Sequence, residues 1–248
     1  LTFNGSGLSL AATDWALFTY QGQDSNTALK DAAGNTLIAD ISGIAFGGSG
    51  NNTINLSSYE WPEGADIEGM GGNDTITGTA YDDWISGGVG ADKLSSGSVD
   101  DYDEFGFEQG DSPAITGLNL GGDSQLGNGD TFSFANGVDQ IMDFSYGDSV
   151  YLEARNGWLN GTEGLGEMRD FPLSWMYYYP ADGLVSDQGF FLVQGGYNAT
   201  SKVFTVNDST GADTLIVYDG DSSAGMSQTG LVLMGVVNPW VEGNSIQG

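Results

Sequence analysis

At 248 residues the chain is long enough to bury one large core or two small ones, and its 41 glycines, about twice ordinary usage and without the collagen period, exclude a helical or collagenous protein. Thirty-four acidic residues against five basic ones leave a net charge of −29, which excludes nucleic acid and anionic membrane surfaces as partners and favours cations. With no Cys and no His there is no disulfide, thiolate nucleophile, zinc hydrolase site or Ser-His-Asp triad, while a hydrophobic content of 39% provides enough apolar surface to fold despite the charge.

Residues 1–46 form an N-terminal β-rich cap. The stretch Thr13-Asp14-Trp15-Ala16-Leu17-Phe18-Thr19-Tyr20 offers a helix-capping residue, but Phe18, Thr19 and Tyr20 prefer a strand, which is the expectation here. Ala33-Gly34-Asn35 then reads as a turn feeding a strand at 36–38.

Residues 47–152 carry a repeat. Asp74, Asp83 and Asp92 stand nine apart, each followed two positions later by an aliphatic residue, Ile76, Ile85 and Leu94. Gly87 to Ser95 fits G-G-x-G-x-D-x-U-x, with U a large aliphatic, at every fixed position. The unit before it has Thr79 and Tyr81 for glycines, and the unit before that has Met70. An earlier unit at Gly47 to Asn55 places Asn52 where the Asp belongs. Thirteen residues then separate Ile54 from Ile67, so Tyr59-Glu60-Trp61-Pro62-Glu63 is expected to bulge from one turn; Ile67 and Ile76 are again nine apart, and Ala65 leaves its turn poorly equipped. Glycine supplies positive φ and close backbone approach, and the aliphatic residue faces inward because strand side chains alternate.

This pattern resembles the RTX (repeat-in-toxin) calcium-binding nonapeptide family. The resemblance implies six-residue turns and three-residue strands, two nonapeptides per coil of a parallel β-roll. The fold expected is therefore all-β: a calcium-binding parallel β-roll flanked by further strands and a C-terminal antiparallel region. Turn 69–74 should stack on 87–92, and turn 78–83 on 96–101, so that Asp74 shares one edge with Asp92 and Asp83 the other with Asp101. Carboxylates stacked about 4.8 Å apart repel by about 3.5 kcal/mol at an effective dielectric near 20, so the column requires a cation. Calcium, which takes six to eight oxygens in flexible geometry, suits it better than magnesium. The resemblance implies as ligands Gly69, Gly71 and Asp74; Gly78, Ala80 and Asp83; Gly87, Val89 and Asp92; Ser96, Ser98 and Asp101; and, in the earlier unit, Gly47, Ser49 and Asn52.

After Asp101, Phe105 and Phe107 alternate on a strand, followed by a Gly/Asn-rich insertion to about Gly129. Asp130, Asp139 and Asp148 then restore the nine-residue spacing ahead of Phe132, Ile141 and Val150, and the run through Leu152 resembles the end of a serralysin-type C-terminal β-roll. Most turn glycines are gone there, so plain stacked strands with solvent-facing Asp are expected rather than further calcium.

Residues 153–248 form a C-terminal β domain. Trp158, Phe171, Trp175, Tyr177, Tyr178 and Tyr179 cluster as either core or a patch for a glycan or a neighbouring subunit. Phe190 to Val237 alternates as antiparallel strands, and Leu231-Val232-Leu233-Met234-Gly235-Val236 resembles the end of type I secretion substrates, although the tail VEGNSIQG lacks their acidic-plus-apolar ending. No apolar run approaches the roughly 20 residues of a membrane span. Leu1 is not preceded by a visible signal, and the chain reads as a processed or truncated piece.

No catalytic constellation stands out; adjacent pairs such as Asp82/Asp83 and Asp100/Asp101 point to opposite faces of a strand. The expectation is a secreted, non-enzymatic structural subunit of a layer, filament or matrix that folds and self-associates with calcium. The alternatives are the C-terminal module of a larger secreted polysaccharide lyase, epimerase or protease, or a glycan-binding adhesin domain.

Overall fold

The computed structural model describes residues 43–59, 62, 64–108, 110–122, 126–154, 157–158, 178–179, 183–184, 190–218, 229–242 and 245–247, together with the strand backbones at 2–4, 7–9, 16–18, 29–30 and 36–38. Among them every regular element is a strand. The first five are β1 (Thr2–Asn4), β2 (Gly7–Ser9), β3 (Ala16–Phe18), β4 (Leu29–Lys30) and β5 (Thr36–Ile38). The expected strands near 18 and at 36–38 are β3 and β5. Of the aromatic cluster at 158–179, the backbones of Trp158, Tyr178 and Tyr179 fall on described strands, while Phe171, Trp175 and Tyr177 lie outside the described residues.

The repeat then lays down alternate strands of two facing sheets: β6 (Ile44–Phe46), β7 (Thr53–Asn55), β8 (Asp66–Glu68), β9 (Thr75–Thr77), β10 (Trp84–Ser86), β11 (Lys93–Ser95) and β12 (Glu104–Phe107). After an insertion bearing β13 (Gly117–Asn119) and β14 (Thr131–Ser133), the coil resumes with β15 (Asp139–Ile141) and β16 (Ser149–Ala154). The remainder comprises β17 (Gly157–Trp158), β18 (Tyr178–Tyr179), β19 (Gly183–Leu184), β20 (Phe190–Asn198), β21 (Val203–Val206), β22 (Asp213–Tyr218), β23 (Thr229–Leu233), β24 (Trp240–Glu242) and β25 (Ser245–Gln247).

One sheet stacks β6, β8, β10, β12 and β16 in parallel; the other stacks β7, β9, β11, β15 and β23. The expected parallel β-roll is therefore present. Its interior is two facing ladders, Ala45-Ile67-Ile85-Phe105-Val150 and Ile54-Ile76-Leu94-Ile141-Leu233, all buried. A three-residue strand has one inward position, and the aliphatic residue of each unit occupies it. Each buried Leu or Ile contributes about 1.5–3 kcal/mol by leaving water.

The roll reaches beyond 47–152. β6 begins at Ile44, β23 pairs parallel with β15, and β25 pairs antiparallel with β16. From β23 the second sheet continues antiparallel through β22, β20, β21, β14 and β13. Every residue of β22 is buried, because Ile216 and Tyr218 face the roll interior while Leu215 and Val217 face a second core with Phe132, Phe134 and Phe204. A strand covered on both faces reads as an unbroken apolar run, as Leu215-Ile216-Val217-Tyr218 does.

Two expectations for the distal half need correction. Asp139 and Asp148 are fully buried at the roll edges instead of facing solvent, and β14 after Asp130 lies antiparallel in the extension, outside the coil.

Candidate metal centre

The turns between the sheets stack into two columns. On the first, the turn 69–74 sits on 87–92 as expected: Gly71 bridges Val89, the Gly72 N–H donates to the Val89 carbonyl at 2.9 Å, and the Val89 N–H to Met70 at 3.0 Å. Glycine is required at Gly90, where φ is +154° and a Cβ would stand 1.6 Å from the Gly72 oxygen. Met70 takes the same left-handed conformation as Gly88, φ 76° against 75°, in the place where the pattern wants glycine.

Asp side chains tie the coils together. Asp74 Oδ1 accepts the Asn52 N–H at 2.7 Å, Asp92 Oδ1 the Asp74 N–H at 2.7 Å, and Asp139 Oδ1 the Asp92 N–H at 2.8 Å. Each Asp thus spends one oxygen on the neighbouring coil. The other, Oδ2 of Asp74, Asp92 and Asp139, is buried without a hydrogen-bond partner.

The second column runs Ala65, Asp83, Asp103, Asp148 by the same rule: Asp83 Oδ1 accepts from Ala65 at 2.7 Å, Asp103 Oδ1 from Asp83 at 2.8 Å, and Asp148 Oδ1 from Asp103 at 3.2 Å. The residue in register with Asp83 is therefore Asp103, and the expected pairing of Asp83 with Asp101 is corrected. This coil spans 20 residues where its neighbour spans 18, and the two extra residues shift the register. The turn does begin on its expected partner, with the Gly78 N–H donating to Ser95 at 2.9 Å. At Asp83 the non-glycine Thr79 intervenes: its N–H reaches Oδ2 at 2.5 Å and its hydroxyl Oδ1 at 2.9 Å, so this carboxylate is satisfied. The bare oxygens of this column are both of Asp101 and Oδ2 of Asp103.

Of the other residues implied as ligands, Gly47, Gly69, Gly78, Gly87, Asn52 and Ser96 are buried in the columns, Gly71 and Ser98 are half-buried, and Ser49, Ala80 and Val89 lie exposed on the outer rim. Asn52 Oδ1 accepts the Gly48 N–H at 2.8 Å, and the Ser98 carbonyl accepts the Ser96 hydroxyl at 2.6 Å.

Burial holds these carboxyls well above their ordinary range. Asp74 and Asp148 are pushed up to about 6 chiefly by desolvation. Asp92 is raised to about 7 by desolvation, with the neighbouring Asp74 adding to it, and Asp139 is held well above its ordinary range by burial and by Asp92 beside it. Asp103 is pushed up to about 9 by desolvation and then by Asp101, Asp83 and Asp148.

The residues fit a hard cation. The carbonyl of Gly87 and Oδ2 of Asp74 both face the space beside Gly69 that a side chain would fill, at 2.4 and 2.5 Å from a Cβ there; Ser96 O and Asp83 Oδ2 flank Gly78 likewise, at 2.2 and 2.4 Å. Paired carbonyl and carboxylate oxygens with no thiolate or imidazole are the donor set of calcium. Residues 68–103 match the RTX calcium-binding nonapeptide repeat (4 copies). That segment carries the RTX repeat. The match ends before Asp139 and Asp148, which extend the same columns. No curated protein matches the chain in sequence. Asp103 was legible in principle, two residues before the inward Phe105, by the rule that places Asp74 before Ile76.

Proposed function

We propose that this RTX calcium-binding β-roll is a secreted, non-enzymatic structural subunit that folds and associates when calcium reaches it. The observation that carries the reading is the first column, where Asp74, Asp92 and Asp139 each bury one oxygen without a partner. When bound, calcium supplies positive charge and oxygen coordination. Asp74 and Asp92, with the glycine carbonyls of their turns, hold it, and their Oδ1 atoms keep adjacent coils in register. At low calcium the buried charges oppose compaction, and a net charge of −29 adds to that opposition. RTX repeats are typical of extracellular proteins, which supports secretion. Association is supported by Val99, Tyr102 and Tyr146, exposed on neighbouring turns of the second column and 60%, 62% and 74% accessible.

Light scattering of the full chain at neutral pH tests this. Calcium should raise the scattering mass, a chelator should reverse it, and restoring calcium should restore it. Particles of unchanged mass under all three conditions would contradict the structural role. A second reading, the calcium-binding module of a larger secreted enzyme, is supported by the antiparallel extension running unbroken from β23; gene sequence encoding a catalytic domain ahead of Leu1 would decide for it.

A further inference from the structure

The bare oxygens of the second column lie outside the nine-residue scheme. In the nonapeptide turns one Asp does two jobs, accepting an N–H from the preceding coil with Oδ1 and presenting Oδ2 to the turn. In the longer turn 96–103 these jobs are divided. Asp103 takes the inter-coil hydrogen bond, and Asp101, two residues earlier, is left with both oxygens buried and unpartnered at 7% exposure. A third carboxylate arrives from the following turn, so that ligand atoms of Asp101, Asp103 and Asp148 all lie within 4.8 Å of one another.

The two turns are already fastened without Asp101. Asp143 accepts the Ser96 N–H at 2.9 Å and the Ser95 hydroxyl, the Ser145 hydroxyl donates to Val99 O at 3.3 Å, and Asp148 Oδ1 accepts the Asp103 N–H at 3.2 Å. Asp101 therefore makes no contribution to that fastening, and its burial calls for another explanation.

We propose that Asp101, Asp103 and Asp148 form a calcium site of their own, distinct from those between nonapeptide turns, which clamps the repeat block to the distal coils of the roll. This rests on the calcium reading above. Three carboxylates with oxygens this close can share one cation, and calcium, which takes six to eight oxygens in flexible geometry, accommodates such a set more readily than magnesium with its strict octahedron. Asp103 and Asp148 are 45 residues apart, so an ion between them closes the loop that carries the insertion.

The test is the number of calcium ions bound per chain, counted by native mass spectrometry of the full chain with calcium alone. Asp101→Asn and Asp148→Asn should each lose one ion, and the double variant still only one. Asp74→Asn should lose a different ion, so that its combination with Asp101→Asn loses two. An unchanged count in Asp101→Asn overturns the site while leaving the repeat calcium intact; a wild-type chain that binds none overturns both. Should Asp101→Asn fail to fold, Tyr102→Phe decides with terbium as the probe, since Tyr102 lies between two of the ligands and this variant keeps all three. Loss of tyrosine-sensitised emission at unchanged stoichiometry places the ion there, and emission equal to wild type overturns it.

Discussion

Replacing Asp92 by Asn should have opposite effects with and without calcium. Asp92 is fully buried, its Oδ1 accepts the Asp74 N–H at 2.7 Å and its Oδ2 has no partner. Burial, with Asp74 close by, raises its pKa from 3.8 to about 7. A rise of that size corresponds to about 4 kcal/mol against the ionised form in the folded protein. Asn keeps the Oδ1 acceptor and removes the charge, but it buries an amide donor at a cost of about 1–3 kcal/mol. In chelator at pH 8 the variant should therefore be more stable than wild type by roughly 1–3 kcal/mol. In saturating calcium it should be less stable, because a ligand oxygen of the folded form is gone. The sign with pH follows from linkage. The folded pKa lies above the unfolded one, so the wild-type penalty is absent below about pH 4, grows as pH rises and is complete above about 7. Urea unfolding with and without calcium at pH 8, repeated in chelator at pH 4.5, measures all three. Destabilisation by the same amount with calcium and with chelator would refute the reasoning.

Two further outcomes are expected. Gly90→Ala should destabilise by more than about 2 kcal/mol in thermal unfolding, since its Cβ would overlap the Gly72 carbonyl at 1.6 Å and no flexible side chain can yield there. Calcium affinity should fall as pH drops from 8 to 5, by roughly tenfold per pH unit for each proton displaced, because Asp74 and Asp148 at about 6 and Asp92 at about 7 must lose protons to bind; calorimetry across that range measures it.

The sequence made the proximal roll legible because local spacing sets it. Nine residues per turn and strand place Ile76, Ile85 and Leu94 inward and stack Gly71 on Val89. The insertion broke that logic. Asp92 and Asp139 are hydrogen-bonded across 47 residues, and no local period spans that distance. Two extra residues before β12 were enough to move the inter-coil role from Asp101 to Asp103. The entry of β23 into the roll sheet depends on a parallel pairing with β15, which a hairpin-like alternation around Leu231 and Leu233 does not reveal. Thr79 shows the limit at single positions: as a departure from glycine it reads as a weakened turn, and only its bonds to Asp83 show that it satisfies the carboxylate.

The most direct test is calcium titration of the full chain at pH 8 followed by far-ultraviolet circular dichroism. The β-sheet signal should weaken and the unfolding midpoint should fall in chelator, and both should recover cooperatively as calcium neutralises the Asp74, Asp92 and Asp139 column. A spectrum and unfolding midpoint identical with and without calcium would contradict it.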